Sequence, residues 1–221
     1  MDKIISLEEA INHIEDGMTI MVGGFLNCGA PLRILEALAE KGVKDLTLIG
    51  NDTGFVENGV GKMVVNHQIK NLVATHVGTN RETGNQMNSG EMNVTLVPQG
   101  TLAERIRAAA AGLGGILTPT GIGTIVEEGK QKITVDGQEY LLETPVRADV
   151  AIIVGHTVDK SGNIVYRGAT RNFNELMAGA ADITIVEAEE IVEVGEIDQA
   201  HVVTPGIFVD YIVDGGALDN E

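Results

Sequence analysis

Several residue types are nearly missing from this chain, and each shortage argues against a class of protein. The 221 residues include a single cysteine, so no disulfide can form within the chain and a reducing compartment is favoured. Aromatic residues make up only 3% and tryptophan is absent, so the core must be aliphatic, which suits strands buried between helices. No run of about 18 apolar residues and no secretion-signal pattern occurs. We therefore expect a cytoplasmic protein with no membrane partner.

Positive charge is also scarce. Fifteen Lys and Arg residues face 32 Asp and Glu residues, a formal net charge of −17, and the stretch 187–221 holds ten acidic residues with no Lys or Arg. A nucleic-acid partner would need a basic face, so none is expected. The acidic stretch is typical of a solvated surface, and the alternative is a contact with a basic patch on another chain.

Apolar periodicity predicts an α/β fold. We expect one domain over residues 1–221, built as an open α/β sheet of mixed strand direction with helices on both faces. The predicted strands are 19–22, 46–49, 72–76, 94–97, 133–135, 140–142, 150–154, 164–166 and 183–186. The first predicted helix begins at residue 7 and ends at Gly17. The other predicted helices are 31–40, 101–111 and 174–180.

Short local motifs refine these predictions. Ser6 and Glu9 have capping-box spacing, and a second cap is predicted over residues 101–104. Asp136-Gly137 lies between the predicted strands 133–135 and 140–142 and predicts a hairpin with a primed turn. The glycine-dense stretch 112–129 is too irregular for a regular element, so we expect a loop there that wraps around a site or a subunit contact.

The strongest local signal is the passage from the strand 19–22 through Gly23-Gly24 to Pro31. Glycines at the carboxyl end of a strand allow close approach of a ligand, and Pro31 suits the first position of a helix. Unpaired N–H groups at such a junction can bind a small anion, a phosphate or a developing oxyanion. The alternative is an ordinary tight turn with no ligand.

The order of residues in this passage is more specific than a glycine pair. Asp16-Gly17, an apolar run, Gly23-Gly24-Phe25, Gly29 and Pro31 together resemble a signature of the alpha (A) subunits of family I coenzyme A transferases. The resemblance continues in the same order to about residue 213, through the segments Asn51-Asp52-Thr53-Gly54, Ser89-Gly90-Glu91, Pro98-Gln99-Gly100-Thr101, Thr118-Pro119-Thr120-Gly121, Arg171-Asn172-Phe173-Asn174 and Val203-Thr204-Pro205-Gly206. It implies a fold related to sugar-phosphate isomerase-like domains.

The resemblance also implies an activity. A family I enzyme moves coenzyme A between a short-chain acyl-CoA (acetyl-, butyryl- or acetoacetyl-CoA) and a carboxylic acid, through a thioester on a glutamate. That glutamate belongs to the beta subunit, so we expect a beta-subunit partner and no catalytic residue in this chain. Coenzyme A is a substrate here, and no cofactor or metal is expected. Three alternatives stay open: a succinyl-CoA:3-oxoacid or 3-oxoadipate enzyme, a non-catalytic ligand-binding protein on the same fold, and a chain that only supports assembly.

The residues expected to bind coenzyme A or the carboxylate follow from the same resemblance. They are the turn Gly23, Gly24, Phe25, Leu26, Asn27, Cys28 and Gly29, together with Asn51 and Gln86, whose amides can donate hydrogen bonds without adding charge. Bracing of loops is the alternative role for both amides. Position 52 is Asp where some family members carry a second Asn, which places a donor role there in doubt.

Other reactive residues are assigned no role in the chemistry. Glu57 precedes Asn58-Gly59 as the family nucleophile does in the beta subunit, but Val56 replaces the expected Ser and the segment lies in an alpha-type sequence. Cys28 has no neighbouring base in the sequence that would form a thiolate, and the five histidines show no metal-like spacing.

Three further segments are given more limited roles. Arg105 and Arg107 are interpreted as helix-face or interface residues. Residues 171–174 are interpreted as a helix cap near Asn174, with a functional role as the alternative, and 118–121 as a wall of the site.

Overall fold

A computed structural model describes residues 3–216, and within this range helices and strands alternate. The helices are α1 Leu7–Asn12, α2 Leu32–Lys41, α3 Val60–Val65, α4 Arg81–Ser89, α5 Gln99–Ala110 and α6 Asn174–Met177. The strands are β1 Thr19–Val22, β2 Leu46–Gly50, β3 Ile69–Ala74, β4 Asn93–Leu96, β5 Ile116–Thr118, β6 Lys132–Val135, β7 Gln138–Glu143, β8 Ala148–Asp159, β9 Ile164–Val165, β10 Ala181–Val192 and β11 Tyr211–Asp214. The ends of the predicted domain and of the acidic stretch lie outside the described residues.

The main sheet has the strand order β11-β10-β8-β1-β2-β3-β4, and every neighbouring pair along this path is parallel. Strand β9 is antiparallel to β8, and β5, β7 and β6 form a second, antiparallel sheet. The predicted α/β fold with mixed strand direction is therefore confirmed. Because Val22 pairs with Gly50, the loops after β1 and β2 leave the sheet side by side, at the edge where α/β proteins bind ligands.

Aliphatic side chains cover both faces of the main sheet. Along β1, Ile20 belongs to a cluster that packs against α1, α2 and α3, whereas Met21 belongs to a cluster that packs against α5 and α6. This alternation follows from the two-residue period of a strand. The predicted placement of helices on both faces is confirmed.

Several local predictions are confirmed as well. Ser6 and Glu9 form both halves of the capping box. The helix predicted over 31–40 is observed as α2, which Gly42 ends in a left-handed conformation with φ of 73°. Asp136 and Gly137 both have positive φ, of 50° and 81°, between strands β6 and β7, as a primed hairpin turn requires.

Other local predictions were wrong. Helix α5 begins at Gln99, after the N-cap residue Pro98, whose side chain has no acceptor that could cap the helix. The predicted cap residue Thr101 therefore lies inside the helix. Helix α1 ends at Asn12, well before Gly17. The stretch 112–129 includes strand β5 and a short 3-10 helix, Ile125–Glu127.

The sequence prediction also missed α3, α4 and β11. The sequence of α4, RETGNQMNS, is polar and contains a glycine, so it lacks the apolar periodicity on which the prediction depended.

Candidate functional site

The glycine-rich turn begins where β1 leaves the sheet. Gly23 donates its N–H to the carbonyl of Ile152 on β8, at 3.0 Å. Phe25 and Cys28 then exchange two backbone hydrogen bonds of 3.0 Å each, which closes a two-residue hairpin over Leu26 and Asn27. Leu26 has a φ of 53°, as the first position of such a turn requires. The turn is therefore a defined hairpin.

Most N–H groups of this turn are already paired. Asn172 Oδ1 accepts from Gly24 and Asp52 Oδ2 accepts from Leu26, each at 3.0 Å. Within the turn, which the structure describes completely, only the N–H groups of Asn27 and Gly29 have no partner. The expected row of unpaired donors was wrong, because the two neighbouring loops supply acceptors for it. Asn27 lines a cavity of about 20 Å³ under the turn, which has room for one water molecule.

The N-terminus of α2 binds a carboxyl group of the chain itself. Glu187, on β10 and only 4% exposed, accepts hydrogen bonds from the N–H groups of Arg33 at 3.2 Å and Ile34 at 2.8 Å. Burial raises the pKa of the Glu187 carboxyl from its usual 4.5 to about 7, although the two backbone hydrogen bonds act against this rise. The predicted anion site at this helix start is therefore occupied by an internal carboxylate, which leaves it closed to a substrate.

Asn51 is the predicted site residue with the clearest donor geometry. Its side chain is buried, at 3% exposure, and its Oδ1 accepts hydrogen bonds from Thr75 Oγ1 at 2.6 Å and from Gln99 Nε2 at 2.9 Å. These two contacts orient the amide so that Nδ2 points away from them, and Nδ2 donates to no other described residue. Asn51 thus presents an oriented, neutral donor at the carboxyl end of β2.

Gln86 occupies a different place from the one expected. It is 2% exposed, and its Nε2 donates to the carbonyl of Val64 at 2.8 Å and to Glu82 Oε1 at 3.0 Å. Both amide protons are therefore used within the scaffold, where they tie α4 to α3. This arrangement favours the bracing alternative for Gln86. Gln99 is the glutamine that contacts Asn51, and its place directly after β4 and Pro98 is the sequence signal that would have identified it.

Asn51 and Phe25 face a groove of about 500 Å³ that is open on one side. Side-chain amides of Asn51, Gln99 and Asn172 provide its polar groups. The remainder of the lining is apolar or lacks a side chain, and comprises Phe25, Gly100, Ala103, Ala169, Phe173 and Leu176. Among these lining residues none is cationic. The groove can therefore hold a short uncharged chain beside neutral hydrogen-bond donors, the usual composition of a small-molecule site.

Asn172 and Asn174 hold the turn in place from another loop, which the sequence interpretation as a helix cap missed. Asn172 Nδ2 donates to the Cys28 carbonyl at 3.0 Å, and Asn174 Nδ2 donates to the Gly29 carbonyl at 2.9 Å. The N-cap position of α6 is Phe173, with no side-chain cap. The sequence signal of this role is the motif itself, in which Asn172 and Asn174 lie on either side of Phe173 at the start of the helix.

The remaining candidate residues lie outside the groove. The thiol of Cys28 is exposed, and Glu57 is exposed in the turn before α3. Thr118 and Thr120 line a separate pocket of about 460 Å³ beside Thr101, on the other side of Gly100. Arg105 ties α5 to the small sheet by donating to the Thr144 carbonyl at 2.7 Å.

Metal ligands and membrane spans are both missing from the described range 3–216. No group of three or more His, Cys, Asp or Glu side chains in this range is placed to hold a metal ion. Likewise, no helix between residues 3 and 216 is long and apolar enough to cross a membrane.

Comparison with known proteins defines the class of this fold and site. Residues 4–215 match the family model described as coenzyme A transferase, so the chain belongs to the coenzyme A transferase family. Similar relatives within that family are alpha subunits. The chain is 57% identical to the alpha subunit of the acetate CoA-transferase of Escherichia coli (strain K12), over 96% of each chain.

Two further relatives have the same subunit type. The chain is 50% identical to the alpha subunit of the acetoacetyl-CoA:acetate/butyrate CoA transferase of Clostridium acetobutylicum, over 96% of this chain and 97% of the relative. It is 47% identical to the A-type subunit of a probable succinyl-CoA:3-ketoacid coenzyme A transferase of Bacillus subtilis, over 99% of this chain and 92% of the relative. The chain is thus the alpha subunit of a heteromeric CoA transferase.

A solved structure supports the fold. The acyl-CoA transferase of E. coli O157:H7 superposes with a TM-score of 0.84 at 23% sequence identity, over 99% of this chain. The match covers 48% of that protein, so this chain spans about half of its length.

Proposed function

We propose that this alpha subunit, together with a beta subunit, transfers coenzyme A between a short-chain acyl-CoA and a monocarboxylic acid such as acetate, butyrate or acetoacetate. The observation that carries the proposal is the unpaired Nδ2 of Asn51, oriented by Thr75 and Gln99 in an apolar groove without a cation. The alpha-type relatives named for acetate and acetoacetyl-CoA support the same substrates.

The proposed reaction is an exchange in two half-reactions. A glutamate carboxylate, which the beta subunit supplies, attacks the thioester carbonyl, the C–S bond breaks, and a mixed anhydride and CoA thiolate form. The thiolate then attacks the glutamyl carbonyl, which releases the first carboxylate and leaves a glutamyl-CoA thioester. The second carboxylate reverses these steps and leaves as the new acyl-CoA. No metal, cofactor or redox step is needed, and coenzyme A is a substrate throughout.

Within this scheme Asn51 and Gln99 act on the charge that develops. Each attack passes through a tetrahedral oxyanion, and a well-placed donor stabilises such a species by roughly 3–4 kcal/mol. Asn51 has its Nδ2 free, and Gln99 uses one proton of Nε2 toward Asn51, which leaves the other proton available. Neutral amides suit this role because a cation in their place would form an ion pair with the attacking carboxylate and compete with its attack.

The groove composition favours a monocarboxylate over a dicarboxylate. Phe25, Ala103 and Leu176 would contact the acyl chain, and no lining residue carries a positive charge that would form an ion pair with a second carboxylate. The alternative substrates are succinyl-CoA and a 3-ketoacid, because one similar relative is named for them. A cation supplied by the beta subunit would favour that alternative.

Three remaining expectations belong to the same proposal. We infer a cytoplasmic protein, in line with the lone cysteine. Residues 1–221 are proposed to act as one domain, and the assembly is proposed to need neither nucleic acid nor membrane.

Reconstitution tests the proposal. The chain is mixed with acetyl-CoA and its beta subunit, and mass spectrometry is used to locate the CoA adduct. We expect the adduct on a glutamate of the beta subunit, butyrate-dependent conversion of acetyl-CoA into butyryl-CoA, and full activity of a Glu57→Gln control. An adduct on Glu57 would overturn the assignment of the nucleophile, and absence of turnover by the assembled pair would overturn the enzymatic proposal.

A further inference from the structure

The side chain of Asn172 connects the two ends of the glycine turn. Its Oδ1 accepts the N–H of Gly24 at 3.0 Å, and its Nδ2 donates to the carbonyl of Cys28 at 3.0 Å. Gly24 and Cys28 flank the hairpin that carries Phe25. A single amide thus spans the hairpin and constrains both of its strands.

Asn172 is itself fixed by its own loop. Its Oδ1 also accepts from the N–H of Phe173 at 2.6 Å, and its Nδ2 also donates to the carbonyl of Ala169 at 3.1 Å. All of its hydrogen-bonding groups that face the protein are therefore used. Because an amide held at both ends has one orientation, the loop 169–173 sets the position of the turn.

The residue that this contact positions is Phe25. The Phe25 side chain is 43% exposed and forms one wall of the groove, so packing holds only part of the ring. Its placement depends on the backbone on either side, where Asn172 binds. Asn172 lines the same groove, but its donors are directed at the two carbonyls and leave none for a substrate.

We propose that Asn172 is a positioning residue, which sets the acyl-chain selectivity of the site by holding the Phe25 wall in place. This inference rests on the proposed function, because it takes the groove as the acyl site. Its physical basis is the general loss of selectivity when a binding wall is no longer preorganised.

The first test concerns the turn alone and needs no activity. Amide hydrogen exchange is measured on the full chain for wild type, Asn172→Ala, Asn172→Asp and the control Asn93→Ala. Asn93 makes one exposed side-chain contact, with Asn71 on the neighbouring strand. We expect the Gly24 amide to exchange about tenfold faster in Asn172→Ala, the change that follows from losing one ordinary hydrogen bond.

Asn172→Asp separates the two halves of the contact. The carboxylate keeps the acceptor for Gly24 and loses both donors, so we expect the Gly24 amide to change less than in Asn172→Ala. The Asn93→Ala control should match wild type throughout residues 23–29. Unchanged exchange of Gly24 in Asn172→Ala would overturn the positioning role.

The second test uses the assembled enzyme and a double-mutant cycle. The ratio of kcat/KM for butyryl-CoA to that for acetyl-CoA is measured for wild type, Asn172→Ala, Phe25→Ala and the double variant. We expect each single change to shift this ratio by about fivefold or more, and Asn172→Ala to add nothing once Phe25 is alanine. A merely structural role would lower both rates equally and leave the ratio unchanged.

The two tests distinguish the possible failures. Additive shifts would show that Asn172 acts without Phe25 and would overturn the inference. If Gly24 exchanges faster in Asn172→Ala but the kcat/KM ratio is unchanged in both single variants, Asn172 holds the turn but the groove is not the acyl site. That result would overturn this inference and the part of the proposed function that places the acyl chain in the groove.

Discussion

The carboxamide of Asn174 occupies the space that a side chain at position 23 would need. A Cβ placed on Gly23 would lie 1.8 Å from Asn174 Oδ1. Asn174 is fully buried, and that oxygen accepts a hydrogen bond from Val154 N–H at 3.0 Å. The glycine after β1 is thus required by a residue 151 positions later in the chain.

We expect Gly23→Ala to destabilise the fold strongly. The new methyl group must displace Asn174, which leaves the Val154 N–H and the Gly29 carbonyl without partners, at a cost of about 2–4 kcal/mol in the free energy of unfolding. Urea denaturation measures this loss. The matched control is Gly84→Ala in α4, where a Cβ meets nothing within 4 Å and alanine should be neutral or stabilising. Equal stability of the two variants would contradict the role assigned to Asn174.

Glu187 predicts a dependence of stability on pH. Its folded-state pKa of about 7 lies above the ordinary 4.5, so between these values the folded state binds more protons than the unfolded state. Stability should therefore fall as the pH rises through this window, by at most about 3 kcal/mol, and level off above it.

Glu187→Gln tests this dependence directly. The variant should remove most of the decline between pH 4.5 and 7, as followed by urea denaturation across that range. Glu128→Gln, at a less buried position, is the control and should keep the wild-type slope. A wild-type slope that persists in Glu187→Gln would assign the decline to other groups.

Asn51→Asp should abolish most activity of the assembled enzyme. The substitution keeps an acceptor for Thr75 and Gln99 and replaces the free amide donor with a charged acceptor, which repels both the carboxylate substrate and the oxyanion. We expect kcat/KM to fall by a factor of roughly 100 or more, while the fold is retained by circular dichroism. Asn93→Asp, on edge strand β4, should retain wild-type rates. Near-normal activity of Asn51→Asp would favour a bracing role.

Cys28 offers a probe of assembly. Its side chain is exposed, so a maleimide should label the isolated chain readily. Because the turn borders the open groove, we expect addition of the beta subunit to slow labelling by a factor of about ten. Cys28→Ser should stay unlabelled and active, since residue 28 contributes to the turn through its backbone. Identical labelling rates with and without the partner would place the interface elsewhere.

Much of the fold follows from local sequence, whereas much of the site does not. Strand β1 is predicted with its observed bounds because four consecutive apolar or β-branched residues follow a turn. Helix α4 is missed because its sequence is polar, and its buried Gln86 is satisfied by a contact with α3 that lies outside the segment. Asn51 is named as a site residue from its motif, but Gln99, which donates to Asn51 Oδ1, is not.

The sequence by itself determined the aliphatic two-faced sheet, the capped first helix, the hairpin at Asp136-Gly137 and the family. Only the tertiary structure decided which donors of the glycine turn are free and which carboxyl group binds the start of α2. Those outcomes depend on hydrogen bonds between residues such as Gly24 and Asn172, 148 positions apart, or Ile34 and Glu187, 153 positions apart. The parallel sheet brings such residues together, and the periodicity of one segment cannot predict a contact with another.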